Sequence, residues 1–107
     1  MRKITILEHV SLDGIIQAPG GPEEDRDGGF AYGGWSAPHD DPAGGEEIEA
    51  AHGERFDLLI GRRTYDIWAG YWPQAEGPMA DQINGATKYV ATHRPESLAW
   101  GPAEAVG

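Results

Sequence analysis

The feature that most restricts this chain is a short apolar run, Phe56 to Ile60, that closes on Gly61 and passes straight into a helical pattern starting Arg62-Arg63-Thr64-Tyr65. A brief continuous apolar run is the mark of a strand covered on both faces, and such strands belong to parallel sheets. Tyr65, Trp68 and Trp72 then recur at i, i+3 and i+7, so they share one helix face and read as core packing. Pro73 ends that helix. A strand that turns through glycine into a helix commits the chain to α/β architecture.

The flanking segments agree. Lys3 to Val10 is β-branched and half-alternating, which predicts a first strand, and Asp13-Gly14 marks a turn. From about residue 17 to residue 40 the chain is rich in glycine, proline and acids without an apolar period, the pattern of a long loop. Asp41-Pro42 predicts a helix start, with Asp41 as cap, Pro42 in the first position and Glu46 and Glu47 near the positive end of the helix dipole. A further short helix is predicted from Pro78 to Asn84-Gly85, and a third strand from Thr87 to Thr92 before Arg94-Pro95. The tail from Pro102 offers little to pack. At 107 residues the chain is a single domain, residues 1–107, of the order strand, loop, helix, strand, helix, strand. Three parallel strands leave open edges. The expectation is therefore a sheet incomplete at its C-terminal side, completed by a second copy or by a missing C-terminal half.

Composition narrows the function. Hydrophobic residues at 39% and charged residues at 24% are ordinary for a globular domain. No run approaches the roughly 20 apolar residues of a membrane span, and Met1-Arg2-Lys3-Ile4 reads as strand and not as a signal peptide. The absence of cysteine removes disulfides, thiolate nucleophiles and thiolate-bound zinc, and the expected location is cytoplasmic. A net charge of −10 argues against nucleic-acid and anionic-membrane partners. His9, His39, His52 and His93 match no zinc-ligand spacing, so no metal site is expected. Most acids fall between Glu23 and Asp57, whereas Arg62, Arg63, Lys88 and Arg94 dominate the stretch from Gly61 to Arg94. A local basic cluster on an acidic protein points to a small anionic ligand, or to chance segregation of solvated charges.

The Gly61-Arg62-Arg63-Thr64 junction gives that anion a place. Free N–H groups and the positive dipole end make a helix N-terminus attractive to phosphate, and guanidinium forks and a hydroxyl add donors. The bland alternative is a pair of solvated arginines at a helix start.

Three motifs in order, Ser11-Leu12-Asp13-Gly14, Gly33-Gly34-Trp35-Ser36 and Ile60-Gly61-Arg62-Arg63-Thr64-Tyr65, together with the strand Tyr89-Val90-Ala91-Thr92 and His93-Arg94, resemble the dihydrofolate reductase superfamily. The nearer branch is the small bacterial proteins similar to the reductase domain of the riboflavin-biosynthesis deaminase/reductase. The resemblance implies a mostly parallel sheet flanked by helices, of which this chain covers the N-terminal part. Family members continue into a glycine-rich turn and a further helix that cradle the cofactor diphosphate. The implied activity is NADPH-dependent hydride transfer to a small heterocyclic or related substrate, with the cofactor doing the hard step. Gly61, Arg62, Arg63 and Thr64 are implied at the 2′-phosphate and diphosphate of NADPH, and Thr92, His93 and Arg94 at its adenosine end. The same resemblance implies Asp13 near the nicotinamide, Trp35 on the loop over the substrate, and Asp40, in the run Trp35-Ser36-Ala37-Pro38-His39-Asp40, as the pterin-binding acid. On their residue types alone, Asp13 is first of all a turn former, and Trp35 is equally a loop anchor. Trp100 reads as a partner anchor or as the remnant of a missing interface. The rival function is a non-catalytic module that forms a homo-oligomer, most simply a dimer, through its open sheet edges.

Overall fold

The computed structural model describes residues 3–39, 41–53 and 55–106. It is a mixed α/β chain that divides into two compact units, Met1–Ala51 and His52–Gly107.

The second unit holds the sheet. Strand β1 (Leu58–Gly61) leads into helix α2 (Arg62–Ala69), a short 3-10 turn (Trp72–Gln74), helix α3 (Pro78–Gly85) and strand β2 (Lys88–Ala91). Helix α1 (Pro42–His52) precedes these elements in the chain. Pro78 occupies the first turn of α3, where its missing N–H costs nothing. After β2 a second 3-10 turn, Pro95–Ser97, returns the chain to strand β3 (Ala103–Val106). All three strands are parallel, in the order β1-β2-β3, with Leu58 opposite Lys88, Ile60 opposite Val90 and Val90 opposite Ala105.

Register decides where the core lies. Lys88 and Val90 share one face of β2 and are both 0% exposed; Ala80 and Ile83 of α3, Ala86, and Tyr65 of α2 complete the buried set of this unit. Leu59 and Tyr89 lie opposite each other on the other face, and Leu59 is 68% exposed. The apolar run of β1 is therefore covered on one face and not on both, because the residues in 52–106 put their helices on a single side.

Two further expectations are overturned. Residues 3–10 form no strand: Ile4 and Ile6 are 83% and 88% exposed, and no ladder partner lies beside them among the described residues. The tail, expected to pack little, supplies β3. The Lys88 N–H donates to the Pro102 carbonyl at 2.9 Å, and the Thr92 N–H donates to the Val106 carbonyl at 3.4 Å. The open edge of β2 gave the tail a ladder that its own sequence hardly demanded.

The first unit is built from loops and one helix. Ser11 to Ile15 is a tight turn in which the Ile15 N–H donates to Ser11 Oγ at 2.9 Å and the Ser11 N–H to the Ile15 carbonyl at 2.9 Å. Gly14, at φ 88°, takes the left-handed conformation that this turn needs. The loop after it folds on itself: the Gly34 N–H reaches the Ala18 carbonyl at 2.8 Å and Ser36 Oγ reaches the Pro19 carbonyl at 2.7 Å. Gly33 sits so close to this hairpin-like contact that a Cβ there would meet the Pro22 carbonyl at 2.6 Å. Helix α1 begins as expected, with Asp41 Oδ1 accepting the Gly44 N–H at 2.7 Å and Pro42 first in the helix. Among the described residues, no helix is long and apolar enough to cross a membrane.

Candidate anion-binding site

The carboxyl ends of parallel strands are where open α/β sheets bind ligands, because the loops diverge there and helix N-termini face outward. In this sheet that edge is formed by Gly61 at the end of β1, by the first turn of α2, and by Thr92 to Ser97 after β2. Gly61 is the N-cap of α2 at φ −76°, ψ 164°, and no side chain caps the helix. A Cβ at Gly61 would meet nothing within 4 Å, so the space beside the backbone is open.

Arg62 ties the two segments together. Its NH1 donates to Ser97 Oγ at 2.6 Å and to Thr92 Oγ1 at 3.4 Å, and its Nε donates to Asp66 Oδ1 at 2.9 Å. The guanidinium carbon lies 5.6 Å from the centre of the Tyr65 ring, within reach of a cation–π contact. The loop that Arg62 grips is itself ordered by the two hydroxyls. Thr92 Oγ1 accepts the Arg94 N–H at 3.1 Å, and Ser97 Oγ donates to the Arg94 carbonyl at 2.7 Å. The residues expected at the two ends of a nucleotide, Gly61 to Thr64 and Thr92 to Arg94, thus meet at one corner. Arg63, His93 and Arg94 are exposed there, and Thr64 and Thr92 are half-buried. A corner with three arginines, two threonines and the start of a helix is suited to oxyanions of a phosphate ester.

Ser97 is the residue at this corner that sequence reasoning missed. Its signal was available: Arg94-Pro95-Glu96-Ser97 is a turn whose last residue carries a hydroxyl able to bond back to Arg94.

A second constellation went unseen, behind the corner. Lys88 is fully buried, and its Nζ donates to the carbonyl of Asn84 at 2.7 Å and to that of Gly101 at 3.4 Å, while lying 4.2 Å from the Trp100 ring centre. Desolvation by burial lowers its pKa from the ordinary value near 10.5. Asn84 accepts Trp100 Nε1–H at 2.9 Å and donates to the Trp72 carbonyl at 2.8 Å. The Tyr65 hydroxyl donates to the Trp100 carbonyl at 2.9 Å and accepts the Trp100 N–H at 2.7 Å. Trp100 is therefore half-buried and anchored internally through Tyr65 and Asn84. Period-two alternation carried the signal for Lys88: it stands two residues from Val90, on the same face. This network is closed and serves to pin the connection after β2 onto α2 and α3.

The remaining expected residues lie in the first unit. Asp13 accepts a hydrogen bond from the Ser11 hydroxyl and is part of the Ser11–Ile15 turn. Trp35 is half-buried and its Nε1–H donates to the Gln17 carbonyl at 2.8 Å, which anchors the loop. Asp40 lies outside the described residues. Among the described residues, no three His, Asp or Glu side chains gather as a metal site.

In comparison with known proteins, no protein-family model matches the chain and no curated protein matches it.

Proposed function

We propose that this chain is an NADPH-dependent oxidoreductase of dihydrofolate reductase/riboflavin reductase type, in which the corner formed by Gly61–Thr64 and Thr92–Arg94 receives the phosphate side of the cofactor. The observation that carries the reading is the bridge from Arg62 to Thr92 and Ser97. It brings together, at the carboxyl edge of a parallel sheet, two segments thirty positions apart that are each rich in phosphate donors. The donor set fits the group: guanidinium, hydroxyl and helix N–H donors, in a stretch of an acidic chain, Gly61 to Arg94, where bases outnumber acids. Bound NADPH would supply the hydride, and the chain's own residues would bind and orient its phosphates. The substrate in this reading is a small heterocycle or related electrophile, and the setting is the cytoplasm.

The test is a titration of the chain with NADPH, followed by tryptophan fluorescence, with the Arg62→Ala/Arg63→Ala double variant alongside. Saturable binding that the variant loses supports the reading. A folded wild-type chain that binds no NADPH overturns it.

A second reading rests on a different observation. Leu59 on the uncovered sheet face and Ile4, Ile6 and Val10 in the segment before the first turn are all more than half exposed. Exposed apolar surface of this kind favours self-association, and a homodimer through the sheet would follow. Sedimentation equilibrium decides it: a monomer at tens of micromolar excludes a stable dimer.

A further inference from the structure

Arg62 is a poor phosphate ligand as it stands. A guanidinium presents two forked edges to an oxyanion, one made by Nε and NH2 and the other by NH1 and NH2. Both are in use: Asp66 takes Nε at 2.9 Å, while Ser97 and Thr92 take NH1 at 2.6 Å and 3.4 Å. The two engagements differ in kind. Ser97 and Thr92 are woven into the Thr92–Ser97 turn through Arg94, so releasing them would dismantle the loop. Asp66 is half exposed, one helical turn along α2, and its carboxylate has the charge and the two-oxygen geometry of the anion it would face. An exposed i,i+4 pair of this type is weak and easily exchanged.

We infer that Asp66 is an internal competitor for the phosphate: its carboxylate occupies the Nε edge of Arg62, and an anion binding at this corner does so by replacing it. This inference rests on the phosphate-site reading above and adds its regulation. Ser97 and Thr92 hold the guanidinium in place throughout, and Asp66 sets how tightly the corner takes an anion. Asp66 is thus a positioning and affinity-setting residue that touches no ligand. Its removal should tighten anion binding, the opposite of what loss of a merely structural ion pair would do.

The experiment titrates two probes, inorganic diphosphate and NADPH, into the wild-type chain, Asp66→Asn, and Asp81→Asn as a control that removes the same charge from α3. Asp66→Asn is expected to bind diphosphate roughly twofold to fivefold more tightly than wild type, from the loss of a competing pair and of a repelling charge. Asp81→Asn should stay near wild type. The Arg62 Nε resonance should shift on adding diphosphate to wild type and already be shifted in Asp66→Asn. If Asp66→Asn gains diphosphate affinity but no variant binds NADPH, the inference stands and the reductase reading falls. If NADPH binds wild type, and Asp66→Asn binds both probes equally or more weakly, the inference falls and the reductase reading stands. If neither probe binds any variant, both fall.

Discussion

Residues 3–10 and residues 103–106 make an instructive pair. The first is the better strand on paper: Ile4, Thr5, Ile6, Leu7 and Val10 give it β-branched, apolar character. The second is Ala103-Glu104-Ala105-Val106, modest in β propensity and next to a chain end. Yet residues 3–10 carry no regular structure, and Ala103–Val106 pairs along its whole length with β2. The difference is the neighbour. Strand propensity measures how well a side chain fits a pleated, half-buried surface, and that surface must exist before it acts. The tail has such a surface because Lys88, Trp100 and Tyr65 fix the connection that delivers it to β2. For residues 3–10 no ladder partner stands among the described residues, so their propensity has nothing to act on.

The largest effect is expected at Lys88. Lys88→Ala removes a buried aliphatic stem and leaves the Asn84 and Gly101 carbonyls without their donor. We expect a loss of about 2–3 kcal/mol, read by chemical denaturation, with the amides of 103–106 losing protection first. Tyr65→Phe is milder. It keeps the ring but deletes a hydroxyl that bonds the Trp100 backbone in both directions, and a loss of about 1–2 kcal/mol by the same measurement is expected.

Alkaline pH probes the same lysine through its charge. Burial lowers the pKa of Lys88 in the folded chain from its ordinary value near 10.5. Between the lowered folded value and 10.5 the unfolded chain binds more protons than the folded one, so stability rises with pH across that window. Below the folded value, the buried charge is a constant cost. The contribution of this residue is the difference between wild type and Lys88→Met in denaturation curves recorded along the pH series, and its slope should be positive. A flat or falling difference would show that the carbonyls and the Trp100 ring hold the ammonium as well as water does. At the small end, Ile6→Ser should change stability by less than about 0.5 kcal/mol, because an 88% exposed side chain has little to lose. A loss several times larger would mean that residues 3–10 are packed in solution, and the contrast with 103–106 would fail.

What the sequence made legible follows the same line. Elements that carry their own local reasons were readable: Asp41-Pro42 as a helix start, Pro78 to Gly85 as a helix, and the strand–glycine–helix junction at Gly61. Each depends on caps, proline and glycine within a few residues. The one-sided covering of β1, the absence of a strand at 3–10 and the presence of one at 103–106 depend on which segments lie beside them, and no local pattern encodes that. At the candidate site, Gly61 to Thr64 and Thr92 to Arg94 were legible as donor types, and the bridge from Arg62 brings them together. The engagement of Arg62 by Ser97 was not legible, since it needs the geometry of a loop 35 positions downstream, whereas Asp66 stands four positions along the same helix. Lys88 was hidden by its type: a lysine reads as solvated until its register beside Val90 is taken seriously.

The most direct test of the account is an NMR titration of the chain with NADPH, reading backbone amides. If the two segments form one phosphate site, the perturbed amides concentrate at 61–64 and 92–97, and the Arg62→Ala/Arg63→Ala variant loses both sets together. Perturbations at only one of the two segments, or at neither, would contradict the single corner on which the proposed function stands.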